Sequence, residues 1–201
     1  MNAKELYQKI LETYPDIGET TICSLHKPCA KSKRCDEAPL HLYIDFDRVE
    51  TEFDRGNPSR QSVDAVASAG EKFCFIEIKG WKDFLQWNIP NDKTIALQAQ
   101  YDLKGKFEVS KEICIGIAEN ETLFEAIPEV FVLVTDIDVN EEGIESFFFN
   151  MMALASTATD WETKCNIALK RELDNQITSV PKYYVNCKQL AGKLLEISSE
   201  K

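Results

Sequence analysis

The stretch FCFIEIKGW, residues 73–81, is the densest hydrophobic run of the chain, yet it contains a glutamate and a lysine two positions apart. Side chains of a β-strand alternate between its two faces, so Glu77 and Lys79 are neighbours on one face, which they share with two phenylalanines. Burying a charge is unfavourable unless the charge is paired or bound to a metal. The stretch therefore predicts a core strand whose charged pair requires a further partner.

The residues before this stretch predict its antiparallel partner strand. QSVDAVAS, residues 61–68, is separated from FCFIEIK by the turn sequence AGEK. If the hairpin turns symmetrically about Gly70 and Glu71, Asp64 lies directly opposite Glu77, and one face of the hairpin is uniformly apolar. The sequence therefore predicts that a second carboxylate faces Glu77.

Two opposed carboxylates would have Cβ atoms about 4.5–5.5 Å apart, and their repulsion normally destabilises a sheet. A divalent cation removes this repulsion, and Mg²⁺ or Mn²⁺ needs few protein carboxylates, because water and substrate phosphate complete its shell. Lys79 could stabilise charge on a phosphate, or orient and deprotonate the attacking water. Asp64, Glu77 and Lys79 are therefore the predicted catalytic residues, with Asp64 and Glu77 as metal ligands. The alternative is an ordinary surface ion pair between Glu77 and Lys79, with Asp64 unrelated to it.

The order of predicted elements indicates an α/β domain with a mixed central sheet flanked by helices. An amphipathic helix is expected over residues 3–14, and strands at 41–49, 61–68 and 73–79 form a meander. Residues 93–118 are predicted as mainly helical, with Gly105 as a candidate interruption, and 129–139 as a strand. Residues 140–201 are predicted as a C-terminal helical extension that packs on the core and includes a short strand.

The motif formed by SVDAV, around Asp64, and EIK, from Glu77 to Lys79, resembles the active site of the PD-(D/E)xK nuclease superfamily. In that superfamily an Asp near the end of one strand acts together with a Glu-x-Lys on the next strand. The resemblance covers residues 1–139. It implies a restriction-endonuclease-like core, Mg²⁺ or Mn²⁺ as cofactor, and hydrolysis of DNA phosphodiester bonds. Val63 stands where the superfamily motif has its proline.

The helix after the Glu-x-Lys strand carries a narrower resemblance, to the RecB-type exonuclease branch of the superfamily. Members of that branch use a Gln and a Tyr on this helix. ALQAQYDLK supplies Gln98 and Tyr101, whose spacing is one residue shorter than the usual Gln-x-x-x-Tyr. The resemblance implies that both residues bind substrate, whereas the alternative is an ordinary amphipathic helix.

The loop CSLHKPCAKSKRC, residues 23–35, combines metal-binding side chains with the most basic stretch of the chain. Its spacing could place four ligands around one tetrahedral zinc ion, and these are Cys23, His26, Cys29 and Cys35. Reduced cysteines in a flexible loop are the alternative. The basic side chains are candidate phosphate contacts on a nucleic acid, and these are Lys31, Lys33 and Arg34. Their alternative is a solvated basic loop.

The composition of the whole chain limits the classes of function. The net charge of −11 argues against loose, charge-driven binding to nucleic acid, so any contact with DNA must be local. The chain shows neither a signal peptide nor an apolar run of roughly 18 residues, which predicts a cytoplasmic protein outside the membrane. The first hypothesis is a metal-dependent DNA nuclease. The second is a nuclease-like fold without catalysis that binds a protein partner, or a second copy of the chain, through its acidic surface and C-terminal helices.

Overall fold

The computed structural model of the protein describes residues 1–25, 42–54, 60–88, 91–137, 139 and 161–200. The helices in these residues are α1 (Ala3–Thr13), α2 (Ile22–Leu25), α3 (Phe46–Phe53), α4 (Lys82–Trp87), α5 (Asp92–Gln98), α6 (Leu103–Ala118), α7 (Leu123–Ala126), α8 (Trp161–Gln176) and α9 (Leu190–Ser199). The strands are β1 (Glu19–Thr20), β2 (Tyr43–Asp45), β3 (Ala65–Ala69), β4 (Lys72–Lys79), β5 (Glu129–Thr135) and β6 (Lys182–Asn186).

The described strands form one mixed sheet of six strands, in which spatial order follows chain order from β1 to β6. The pairs from β1 to β4 are antiparallel, whereas β5 runs parallel to β4 and β6 runs parallel to β5. Helices pack on both faces of this sheet. The predicted α/β class, with a mixed central sheet flanked by helices, is therefore confirmed.

The strand β4 is covered on both faces, as its apolar sequence requires. On one face, the Phe75 ring lies 5.3 Å from that of Phe73 and 5.1 Å from that of Phe107 in α6, measured between centroids. On the other face, Cys74 and Ile76 belong to a buried cluster that includes apolar residues of α9. Edge-to-face aromatic pairs add to the stabilisation from burial. A charged residue at the end of β4 therefore emerges from a well-packed strand.

The hairpin of β3 and β4 has the register that the sequence predicts. Ala65 pairs with Ile76 and Ala67 pairs with Cys74, so the chain turns symmetrically about residues 70 and 71. Gly70 adopts a φ of +62°, a conformation that costs little only for glycine. The turn and the apolar pattern of both strands thus specify the same register.

Substitution of Gly70 tests how tightly this turn is packed. A Cβ on Gly70 would lie 2.9 Å from the backbone oxygen of Ser198 and 3.2 Å from its Cα, whereas a Cβ on Gly18, at a φ of +63°, meets nothing within 4 Å. We expect Gly18→Ala to lower the free energy of unfolding by about 1 kcal/mol, from backbone strain alone. Gly70→Ala should cost about 1–3 kcal/mol more, because α9 must also shift. Urea unfolding of both variants measures the difference, and equal losses would contradict the close contact.

Four predicted elements are wrong in their extent. The strands expected over 61–68 and 129–139 are the shorter β3 and β5. The strand expected over residues 41–49 stops at Asp45, because the Asp45 side chain accepts a hydrogen bond from the backbone N–H of Arg48 at 3.2 Å and so begins α3. The helix expected over 93–118 is interrupted at residues 99–102 rather than at Gly105. Asp102 caps α6 by accepting a hydrogen bond from the backbone N–H of Gly105 at 2.8 Å.

The C-terminal region contributes to the same sheet as the rest of the chain. The strand β6 pairs with β5, from Lys182 beside Phe131 to Asn186 beside Thr135, while α8 and α9 pack on opposite faces. The region predicted as a helical extension thus also supplies a sheet strand, and the division at residues 139 and 140 stays a prediction. No helix in the described part of the chain has the length and apolar composition needed to cross a bilayer.

Candidate metal and phosphate site

The site lies at the C-terminal end of β4, where the antiparallel ladder with β3 has already ended. The last pair of that ladder is Ala65 with Ile76, while β4 continues to Lys79 beside β5. Asp64 lies just before β3, and its Oδ2 accepts a hydrogen bond from the backbone N–H of Ile78 at 2.5 Å. The Asp64 side chain thus replaces the missing strand partner and is fixed beside Glu77.

Hydrogen bonds from α3 and α6 hold the segment that carries Asp64. The backbone N–H of Phe46, the first residue of α3, donates to the Asp64 carbonyl oxygen at 3.0 Å. The backbone N–H of Val63 donates to Ser110 Oγ at 2.9 Å, and that hydroxyl donates to the Lys106 carbonyl oxygen at 2.8 Å. Two helices therefore position the aspartate. Through Ser110, α6 also links this segment to Lys106, which was not identified from the sequence.

Glu77 is fully buried, and two ammonium groups contact the same oxygen of its carboxylate. Its Oε1 lies 2.5 Å from Lys79 Nζ and 2.8 Å from Lys106 Nζ. Lys106 Nζ also lies 4.0 Å from Asp64 Oδ1, so both carboxylates reach the same cation. The second oxygen, Glu77 Oε2, is buried and has no hydrogen-bond partner among the described residues. One carboxylate oxygen of the site is thus free to bind a ligand.

The ionisation of the site reflects competition between burial and charge. Burial raises the pKa of Asp64 and of Glu77 above their usual values, although Lys106 and Lys79 act in the opposite direction on both. Burial lowers the pKa of Lys106, but the carboxylates of Glu77 and Asp64 outweigh it and the net pKa is raised. Lys106 therefore keeps its charge, while the carboxylates bind protons more readily than exposed ones.

Tyr101 and Gln98 lie beside these residues, but not on one helix as the resemblance implied, because Gln98 ends α5 and Tyr101 lies in the break before α6. Lys79 Nζ is 3.9 Å from the centroid of the Tyr101 ring, and Gln98 forms a side-chain hydrogen bond with the Tyr101 hydroxyl. Burial raises the pKa of Tyr101, so this hydroxyl stays protonated at neutral pH. The aromatic face orients the ammonium group through a cation–π contact. A substrate-binding role for both residues stays a prediction.

Two further charged residues belong to this site and were missed from the sequence. Lys106 was missed, although helical spacing from the buried residues Leu103 and Ser110 places it on the apolar stripe of α6. Asp47, in the first turn of α3, is an exposed residue that interacts electrostatically with Lys106 and Glu77. Partial desolvation raises the pKa of its carboxyl group. The position of Lys106 on the apolar stripe of a helix was the sequence signal that could have identified it.

Asp136, just after β5, fixes the chain that follows Lys79. Its Oδ1 accepts hydrogen bonds from the backbone N–H groups of Trp81 at 2.6 Å and of Lys82 at 3.3 Å. These are N–H groups at the start of α4, which otherwise lack intrahelical partners. The turn after β4 is therefore anchored to β5, and Lys79 is not at a frayed strand end.

The residues present fit a hard divalent cation better than a soft one. Mg²⁺ is commonly bound through one or two carboxylates and keeps several waters, which matches the pair Asp64 and Glu77 and the unpartnered Oε2. Among the described residues, no three or more Asp, Glu, His or Cys side chains are grouped so as to hold a metal. Of the predicted zinc ligands only Cys23 is described, because His26, Cys29 and Cys35 lie outside the described residues.

The predicted phosphate contacts of the basic loop, Lys31, Lys33 and Arg34, also lie outside the described residues. Comparison of the chain with protein-family models, curated proteins and solved structures finds no match. The chemistry of the site therefore rests on the residues around Glu77, with their burial, their charges and the Oε2 atom that is unpartnered within the described part of the chain.

Proposed function

We propose that the chain is a metal-dependent nuclease that hydrolyses DNA phosphodiester bonds. The observation that carries this proposal is the meeting of two carboxylates and Lys79 at the C-terminal end of β4, with the Glu77 Oε2 atom buried and unpartnered among the described residues. Leaving such an atom without a partner is costly, so a buried free carboxylate oxygen favours a ligand such as a cation.

The residues of the site divide the proposed reaction between them. Asp64 and Glu77 would hold Mg²⁺ or Mn²⁺, which when bound supplies Lewis-acid stabilisation of phosphate charge. Lys79, oriented by the Tyr101 ring, would stabilise charge on the phosphate or orient the attacking water. The hydrogen bond between Asp64 and Ile78 fixes one carboxylate before any ligand arrives, and this preorganisation favours catalysis.

The architecture supports the resemblance to the PD-(D/E)xK superfamily as part of this proposal. The chain order is a helix, an antiparallel meander of β2, β3 and β4, further helices, and then β5 parallel to β4. That order is the one that the resemblance implies for residues 1–139. The motif residues also lie on β4 and directly before β3, which are neighbouring elements.

A cleavage screen tests the proposal. The purified chain, stripped with EDTA, is incubated with single-stranded, double-stranded and branched DNA, with Mg²⁺, with Mn²⁺ or with neither. We expect cleavage of at least one DNA with either metal and none in EDTA. RNA of the same sequence serves as a comparison substrate. Absence of cleavage on every DNA, by protein that is folded and binds Mn²⁺, would contradict the proposed activity.

The raised pKa values of the carboxylates predict how metal binding depends on pH. Metal ligands must be deprotonated, so protons compete with the cation as the pH falls through the pKa values of Asp64 and Glu77. Because both values are raised, the loss of affinity should begin above pH 4.5, the ordinary value for glutamate, and approach about tenfold per pH unit for each proton. Calorimetric titration with Mn²⁺ at several pH values measures it. Affinity that is constant down to pH 4.5 would contradict the assignment of ligands.

A second candidate function is a nuclease-like module without catalysis that acts by binding a protein. One observation favours it, since Lys79 and Lys106 already neutralise Glu77 Oε1 without any metal. The net charge of −11 also suits a basic protein surface better than DNA. Folded protein that neither binds Mn²⁺ nor cleaves DNA would favour this module over the enzyme.

A further inference from the structure

Lys106 makes contacts that the proposed reaction does not use. Its side chain is only 14% exposed, and its ammonium group lies 2.8 Å from Glu77 Oε1 and 4.0 Å from Asp64 Oδ1. A lysine is rarely buried unless it is paired. Here the partners are the two carboxylates assigned to the metal, so lysine and metal would neutralise the same negative charges.

We propose that Lys106 is an internal counterion that neutralises the two carboxylates in the metal-free protein and sets the affinity of the site for a divalent cation. This inference rests on the proposed metal site of Asp64 and Glu77. A cation that binds both carboxylates must displace the Lys106 ammonium or bind beside it. In both cases the positive charge of Lys106 opposes metal binding. In the metal-free protein the same charge reduces the repulsion between the two carboxylates.

The structure distinguishes Lys106 from Lys79 in this role. Lys79 Nζ contacts the ring of Tyr101 as well as the carboxylate of Glu77, so two different contacts fix its position. Lys106 Nζ is positioned by its contacts with the carboxylates of Glu77 and Asp64, and its flexible stem extends from α6. The ammonium of Lys106 can therefore move when the carboxylates turn to a cation, while Lys79 keeps its place.

Removal of this charge should tighten metal binding. A unit charge and a divalent cation within a few ångströms repel strongly in a partly buried site, even at an effective dielectric constant of about 20. We expect Lys106→Met to lower the dissociation constant for Mn²⁺ by about tenfold or more, because the cation becomes the main counterion of the carboxylates. The metal-free variant should unfold at a lower temperature than the wild type, and Mn²⁺ should restore more stability to it.

The experiment uses the full chain, stripped with EDTA and titrated with Mn²⁺ by calorimetry at a single pH of about 8. Lys111→Met is the matched control, since Lys111 lies on the same helix and pairs with Glu129 at 2.7 Å, outside the site. Lys106→Arg keeps the positive charge. We expect wild-type affinity within about twofold from Lys111→Met, and no tightening of Mn²⁺ binding from Lys106→Arg, because the arginine charge still opposes the cation. If Lys106→Met does not fold, Lys106→Gln replaces it, because it removes the same charge and keeps a polar end.

The outcomes separate this inference from the proposed function. Unchanged or weaker Mn²⁺ binding in Lys106→Met, while Asp64→Asn weakens the binding of the wild-type site, would overturn the counterion role and leave the metal site in place. If neither the wild type nor Lys106→Met binds Mn²⁺, the metal site itself is wrong and the inference fails with it. Binding by Lys106→Met alone would support the counterion role and favour the module without catalysis.

Discussion

Replacement of Asp64 by asparagine is expected to reduce metal-dependent DNA cleavage by about a thousandfold or more. Asparagine has the same shape, and its carbonyl oxygen can still accept the hydrogen bond from the backbone N–H of Ile78. The substitution therefore removes one negative charge from the metal site and little else. A bound metal contributes several kcal/mol of transition-state stabilisation, and each 1.4 kcal/mol corresponds to a factor of ten in rate.

The control for this variant is a carboxylate in the same sheet but far from the site. Glu129 lies beside Phe73 at the other end of β4, is largely buried, and pairs with Lys111. Glu129→Gln should keep the cleavage rate of the wild type within a few-fold. Rates are compared under single-turnover conditions at saturating Mg²⁺, with circular dichroism melting curves for folding. Full activity of Asp64→Asn would remove this residue from the site.

The register of the β3–β4 hairpin could be predicted from the sequence because two independent patterns agree on it. Gly70 permits the left-handed turn, and the pairing about this turn keeps one face of the hairpin uniformly apolar, which a one-residue slip would destroy. These are short-range properties. The neighbourhood of Asp64 and Glu77 followed from them, although the ladder itself ends at Ala65 and the aspartate bonds to Ile78 instead of facing Glu77 across a regular pair.

The contact between Lys106 and Glu77 could not be predicted, since it depends on where α6 lies against the sheet. The two residues are 29 positions apart, and the helix between them is interrupted by the cap at Asp102. Without that break, the predicted helix over 93–118 would present a different face. Local hydrogen bonding also ended the strand predicted over 41–49, where the side chain of Asp45 caps α3. In both places a short polar side chain outweighed a hydrophobic pattern.

Replacement of Lys79 by methionine is expected to reduce DNA cleavage by about a hundredfold to ten-thousandfold while Mn²⁺ binding stays at least as tight as in the wild type. Methionine retains an unbranched stem that can pack on the Tyr101 ring, but it has no ammonium group to contact a phosphate or a water. Proton transfer or charge stabilisation by one positioned group contributes effects of this size. Lys79→Met thus tests the chemical step separately from metal binding. Asp64→Asn, by contrast, is expected to reduce both.

The same strand offers the control for this variant. Lys72, at the start of β4, is also partly buried and pairs with Glu200 at 2.9 Å, so Lys72→Met removes an equivalent charge away from the site. Cleavage by Lys72→Met should match the wild type. If Lys79→Met loses cleavage and Mn²⁺ affinity in parallel, Lys79 only holds Glu77 in place and is a positioning residue. If cleavage falls while Mn²⁺ affinity is kept, its ammonium acts on the substrate, and Lys79 and Lys106 contact the same carboxylate oxygen for different purposes.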